Sequence, residues 1–368
     1  MWFFRIWVEI LGVSCLFLVP FLKKERKDYS LFLALFLFAL SVFLTSLWGV
    51  NFSKSFWGNP YREDGLNTFF HLCALAFATA LIWQDSWLRP FIKSLTLANF
   101  ILSLWVIISA FRFYVLKDIN VVTWDGAIGI SFGNPNFLAG YLATTLPLSF
   151  SPFLNIKPLR KRAIQLSQVA AILLTHSWSG VLTVIVLFIM LTIAPQGKAI
   201  KNKLIPIASL SLLFLLTIGL YIFNYQKTAN SYSGYMPEGR MRIITKALLA
   251  IKQKPFFGWG LTNFDVAFDN IDWPMKWGHD IYVDKTHSLF LEVLVTSGVL
   301  GFGFYLLLIY KTFTNLLKQS REYKYLLLVF ILFLIHSQTN VISISEEVFF
   351  WIMVGVAATL RDSTPRPL

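Results

Sequence analysis

The sequence predicts an all-α fold: a polytopic transmembrane helical bundle of about eleven spans, with ten to twelve compatible with the run lengths, and one large extracytoplasmic loop. Three observations predict it. Hydrophobic residues make up 56% of the 368 and charged residues 14%, against about 45–50% and about 25% in an ordinary soluble domain, so water is not the solvent for most of this surface. The apolar residues come in runs such as LFLALFLFALSVFLTSLW, residues 31–48, which leave no polar face to turn outward. The basic residues, which bring the formal net charge to +13, lie in short clusters between those runs rather than in a stripe beside stacking aromatics. That distribution marks membrane topology and argues against nucleic acid as a partner.

A helix needs about 20 apolar residues to cross the hydrocarbon core, and each run here ends in charges, prolines or glycines. The predicted spans are residues 2–22, 29–48, 66–83, 91–111, 136–154, 163–178, 179–195, 204–223, 287–310, 325–343 and 346–360, all within a single transmembrane domain over 1–368. The first run ends in Lys23-Lys24-Glu25-Arg26-Lys27 without a small-residue cleavage site, so it is read as a span and not as a secretory signal. Cys15 and Cys73 both lie inside apolar runs, where cysteine behaves as a small hydrophobe, so neither a disulfide framework nor a metal site is indicated.

Orientation follows from the Lys and Arg bias of short loops. With these spans, 19 of the 32 basic residues fall on one side, in clusters around residues 23–27, 89–93, 157–162, 198–203, 311–324 and 361–366, together with five acidic residues. That side is expected to be the cytoplasm, with the carboxy terminus on it. The amino terminus and the loops 49–65, 112–135 and 224–286 then face outward. The segment 224–286 is too long for an ordinary connection and too rich in Trp, Phe and Tyr for a disordered one, so it is expected to fold on the membrane surface. Within it, GRMRIITKALLAIKQKP places Met241, Ile244, Leu248 and Ile251 at helical spacing, with Arg240, Lys246 and Lys252 on other faces and with Pro255 and Gly258 to end the helix. This predicts an amphipathic helix lying in the interface.

Three stretches, taken in order, resemble one bacterial family, the O-antigen ligase and O-antigen polymerase superfamily of membrane glycosyltransferases. They are Asn59-Pro60-Tyr61-Arg62-Glu63-Asp64-Gly65-Leu66, then Gly133-Asn134-Pro135-Asn136-Phe137-Leu138-Ala139-Gly140-Tyr141, then the long loop from Glu238 with its exit DKTHSLFLEVLVTSGVLGFGFY from Asp284. The resemblance implies transfer of a saccharide from a polyprenyl diphosphate carrier, undecaprenyl diphosphate in bacteria, to an acceptor hydroxyl at the outer face of the cytoplasmic membrane. It implies a lipid, glycan or protein acceptor, contact with membrane lipids, no cofactor and no metal. It points to polysaccharide or lipopolysaccharide biosynthesis of the cell envelope.

Such a reaction needs a base for the acceptor hydroxyl and fixed cations for the diphosphate leaving group. His287 suits the first role, since it stands at the outer start of a span behind Asp284 and Lys285 and its ordinary pKa near 6.5 is that of a useful base; the plainer reading is a histidine that wets a helix end. The resemblance assigns it the part of general base. Arg240 and Arg242 suit the second role, because a guanidinium stays charged and can hold phosphate oxygens bidentately, although any basic interfacial helix also binds anionic headgroups. Arg62 is a further diphosphate candidate or else half of a surface ion pair with Glu63 or Asp64. Lys285 is a secondary candidate. Relatives carry an arginine in a Ser-Arg-Gly-Gly type element, where this chain reads Thr175-His176-Ser177-Trp178-Ser179-Gly180, so Trp178 matches that arginine and His176 is a candidate to replace it.

Other polar residues weigh less. His71 and His336 lie within apolar runs and read as histidines bonded to a neighbouring helix. Asn134 and Asn136 read as shaping a helix start around Pro135. Glu292, five residues after His287, would point away from it by about 140° on an ideal helix. The alternative class is a transporter of a small polar solute or an anion such as bicarbonate, which should show internal repeats and ionisable residues near the bilayer midplane; no repeat is found.

Overall fold

The structure is a computed structural model, and it describes residues 6, 9–10, 28–123, 127–193, 239–275, 282–319 and 323–359. Among these, all regular structure is helical, with no β-strand. The predicted span 204–223, most of span 2–22 and residues 224–238 of the long loop lie outside the described residues. In chain order the α-helices are α1 (Tyr29–Leu47), α2 (Phe52–Trp57), α3 (Leu66–Ile82), α4 (Asp85–Tyr114), α5 (Pro135–Thr145), α6 (Pro158–Leu174), α7 (Trp178–Ile193), α8 (Arg240–Gln253), α9 (Phe264–Asp269), α10 (Leu289–Lys318), α11 (Lys324–His336) and α12 (Ile344–Ala357). Three of them, α1, α4 and α10, are long and apolar enough to cross a membrane; α3, α11 and residues 178–191 of α7 are apolar but shorter. The run 136–154 differs from the predicted span in that α5 stops at Thr145 and continues as a 3-10 helix, Leu146–Phe150, with Pro147 inside it. Proline lacks the N–H that would carry the α-helical ladder onward.

The chain divides into two compact units. One comprises residues 1–87, 238–330 and 337–368. In it α1 packs along α10, and α3 along α12. Small residues permit both approaches: a Cβ on Gly355 of α12 would stand 2.4 Å from the Ala76 carbonyl oxygen of α3. The other unit comprises residues 88–237 and 331–336, where α5 packs on α6 and α7. Here Asn134 caps α5, its side chain accepting from the Asn136 N–H at 2.8 Å, and Pro135 fills the first helical position, where its missing donor costs nothing.

The segment after α8 is seated on a break in α10. Gly298 has φ 61° and interrupts the helix. The carbonyls freed there accept from another strand of chain, Trp259 N–H to Val295 at 2.9 Å and Gly260 N–H to Thr296 at 2.8 Å, while Val299 N–H donates to Pro255 at 2.8 Å. A Cβ at Gly298 would stand 2.2 Å from the Phe256 oxygen. Gly298→Ala should therefore destabilise the protein by at least about 1–2 kcal/mol from the left-handed backbone alone, with the clash in addition. The check is a lower melting temperature in detergent, and an unchanged one would show that the break is tolerant.

Below this seam α8 lies over a core of Ile243, Ala247, Ala250, Trp259, Phe264, Phe268 and Val295. Its inward face is not the one that its most apolar residues suggest. Ile243, Lys246, Ala247 and Ala250 turn inward, whereas Met241 and Leu248 stay exposed. Lys246 is tolerated inside because its ammonium donates to the Phe268 carbonyl at 2.9 Å and sits 4.1 Å from the Phe268 ring centre.

Candidate functional site

Within the first unit, the 49–65 loop is zipped onto the segment 259–265. Val50 N–H donates to the Trp259 carbonyl at 3.0 Å, Ser55 Oγ to the Leu261 carbonyl at 2.8 Å, and Asn263 Nδ2 to Ser55 Oγ at 2.9 Å. Lys54 pairs with Asp265, which also accepts from the Tyr282 hydroxyl at 2.9 Å. These contacts bring Arg62 and Asp64 against the stretch 282–288. Arg62 pairs with Asp284, with a second contact from Nη2 at 3.4 Å. Lys285 Nζ lies 2.6 Å from Asp64 and 3.4 Å from Glu292.

The result is a cavity that, with its open mouth, holds about 740 Å³ and is lined by residues 62–64, 68, 285–289, 292, 340–344 and 347. His287 is part of the lining. It is not yet helical: α10 starts at Leu289, Ser288 is its N-cap, and His287 has φ 59°, a left-handed conformation rare for a residue with a Cβ. Its neighbours hold it there. Thr286 N–H donates to Glu292 at 2.9 Å and Thr286 Oγ1 to the Ser288 carbonyl at 2.8 Å. On the far side Ser288 Oγ donates to Gln338 at 2.9 Å and Leu289 N–H to the Ser337 carbonyl at 2.8 Å. Strained backbone held by several bonds is a mark of a working position.

The electrostatics follow from burial and these pairings. Burial pushes the His287 imidazole down from its ordinary value, and the nearby Arg240 charge pushes it further, outweighing Asn340 and Asp284. The ring is therefore neutral at pH 7. Its Nδ1 is buried and has no hydrogen-bond partner. Burial works against the Lys285 ammonium, yet Asp64 and Glu292 overcome it and hold Lys285 well above the ordinary lysine value. Burial likewise opposes the Asp64 charge, and Lys285 with Arg62 outweighs it, so Asp64 stays below the usual carboxylate range.

Of the residues expected to form a site, His287, Arg62 and Lys285 meet in this cavity. Arg240, at the start of α8, is exposed and donates from Nη1 to the Thr339 carbonyl at 2.5 Å, next to the lining residue Asn340. Arg242 is not brought to the lining: its Nε donates to the Pro274 carbonyl at 2.7 Å and its guanidinium lies 5.3 Å from the Phe268 ring centre. His176 belongs to the other unit, where its Nε2 lies 3.1 Å from the Tyr114 hydroxyl, and Trp178 starts α7 largely exposed. His71 Nδ1 bonds the Asn67 carbonyl one turn back along its own helix at 2.7 Å, and His336 Nε2 lies 3.3 Å from Ser179 Oγ within the second unit.

Glu292 and Glu347 line the cavity, and the sequence reading gave neither a place there. For Glu292 the ideal-helix spacing from His287 does not apply, because the helix begins two residues later. Glu347 stands beside Glu346 at the head of an apolar run, and an ionisable residue in such a run is itself a hint of function. Among the described residues no group of three His, Cys, Asp or Glu side chains is arranged to hold a metal ion.

Comparison with curated proteins finds no match. One recognisable stretch of the chain contains His176, Arg240, Arg242, Lys285, His287 and Glu292, whereas Arg62, Asp64 and Glu347 lie outside it. From residue 164 to residue 306 the chain matches the family model described as O-antigen ligase, the family that its ordered motifs resemble.

Proposed function

We propose that the protein is a membrane glycosyltransferase of the O-antigen ligase or polymerase type, transferring a saccharide from undecaprenyl diphosphate to an acceptor hydroxyl at the outer face of the bacterial cytoplasmic membrane. The observation that carries this reading is His287: a neutral imidazole with a buried, unbonded Nδ1, held at a strained position in a cavity, inside the stretch that matches the family. The acceptor oxygen attacks the anomeric carbon as its proton passes to His287 Nδ1. The bond from that carbon to the diphosphate oxygen breaks, with inversion, and undecaprenyl diphosphate leaves with the electron pair. Arg240, whose observed partner is a neutral backbone carbonyl, is the cation we assign to the leaving diphosphate. Arg62 and Lys285, each matched by carboxylates, hold the two outer segments together. Arg242 and His176 have no part in this scheme.

The test is reconstitution of the purified full chain in vesicles with undecaprenyl diphosphate-linked saccharide and an acceptor. A cysteine at the exposed Met241 in a cysteine-free background reports which face is outside. Product and free undecaprenyl diphosphate are expected only where donor and acceptor reach the face on which Met241 is labelled. Solute or bicarbonate flux without transfer would instead establish the transporter reading, and transfer from the opposite face would reverse the orientation.

A further inference from the structure

We infer that the cavity beside His287 is the subsite for the acceptor's hydroxyl-bearing sugar, and that it takes neutral or amino sugars and turns away carboxylated or phosphorylated ones. The inference rests on the transferase reading above and goes beyond it by separating the sugar site from the diphosphate site.

The argument begins with charge. A diphosphate needs cations with charge to spare, and the lining has none. Its two permanent cations are matched, Arg62 by Asp284 and Lys285 by Asp64 at 2.6 Å and Glu292 at 3.4 Å. Against these two stand four carboxylates, Glu63, Asp64, Glu292 and Glu347. With all four ionised the lining has a formal charge of −2, and with Glu292 and Glu347 both protonated it is neutral; in neither state is it positive. An anionic group entering would have to break an existing ion pair to reach a cation. The diphosphate is thus left to the exposed Arg240 outside the lining.

The second observation concerns unfilled hydrogen bonds. In the lining His287 Nδ1, the acceptor in the tautomer that the base role requires, is buried with no hydrogen-bond partner, and the buried Glu292 Oε1 has no closer donor than the Lys285 ammonium at 3.4 Å. Buried acceptors without donors cost free energy that a ligand's O–H or N–H groups would recover. Sugar hydroxyls and ammonium groups are such donors, and a bond to a carboxylate is charge-assisted. Diphosphate oxygens are acceptors only and would leave His287 Nδ1 unfilled.

The test needs no donor. The purified full-length protein in nanodiscs is titrated with the methyl glycosides of N-acetylglucosamine, glucosamine and glucuronic acid, followed by ligand-observed saturation-transfer NMR, with inorganic pyrophosphate as competitor. The neutral and amino glycosides are expected to bind at least about tenfold more tightly than the glucuronide, since like charges about 5 Å apart in a protein cleft repel by more than that factor requires. Glu347→Gln should narrow the gap, and pyrophosphate should not displace the bound sugar. Equal or tighter binding of the glucuronide, displacement by pyrophosphate, or no binding of any glycoside would overturn the inference. Failure of the transferase reading looks different: neutral sugar binds as expected, but the reconstituted protein forms no product with any acceptor.

Discussion

His287→Ala is expected to lower glycan transfer by about 10²–10⁴-fold, the usual cost of removing a general base, while folding and membrane insertion persist. The imidazole's own side-chain hydrogen bond is to Asn340, while the bonds that define the start of α10 run through Thr286, Ser288, Glu292 and the turn at Ser337 and Gln338. Replacing a left-handed histidine with alanine leaves a residue no better suited to φ 59°, so a modest loss of stability is part of the expectation, and transfer is compared at equal protein level. His71→Ala is the control, since His71 only bonds its own helix. The decisive readout is accumulation of carrier-linked donor with loss of product. Transfer by His287→Ala at the parent rate would remove the base assignment.

The same residue sets a pH dependence. Its imidazole is lowered from 6.5 by burial and then by Arg240, so the basic form persists to more acid pH than for a free histidine. Activity should stay level on descending through pH 6.5 and fall only below it, as the ring takes a proton and can no longer accept one from the hydroxyl.

Arg240→Ala is expected to reduce transfer by about 10- to 100-fold, as the loss of one or two charge-assisted bonds worth about 1.5–3 kcal/mol implies. Arg240→Lys should recover only part of it, since an ammonium keeps the charge but lacks the planar fork that matches two phosphate oxygens. Arg240 also contributes to the lowering of His287. Removing its charge should move the acid limb of the pH profile upward, toward 6.5, and Arg240→Lys should leave it nearly where it was. An arginine that merely held lipid headgroups could move the limb through its charge but would leave the rate at saturating donor unchanged. Arg242→Ala provides the contrast: its guanidinium is committed to Pro274 and Phe268, so its removal should act on the stability of the α8 to α9 layer, with little effect on the reaction.

Much of the helical framework was legible from sequence because hydropathy and helical period are local properties. The apolar run 29–48 is α1, and residues 66–83 contain α3. The Asn134-Pro135 pair starts α5 by the expected cap. The stretch with helical spacing from Arg240 ends before Pro255. The same locality set the limits. Period alone pointed to Met241 and Leu248 as the apolar face of α8, whereas the core of Phe264 and Phe268 takes up the side bearing Lys246, because one backbone carbonyl and one ring satisfy its ammonium.

By itself the sequence determined that most of this chain is built for lipid, that His287 stands at the head of an apolar run, and that most of the cations lie in short clusters between such runs. Tertiary structure decided which of those charges remain available for chemistry. Arg62 and Asp64 find their partners, Asp284 and Lys285, more than 200 residues further along the chain, and only when the loops are zipped together. Arg240 escapes that pairing because the turn at Thr339 offers it a carbonyl instead of a carboxylate. The left-handed turn at His287 was equally invisible from local pattern, since it is imposed by Glu292 on one side and Gln338 on the other. Charge on a side chain is written in the sequence, but its compensation depends on distances that only the folded chain sets.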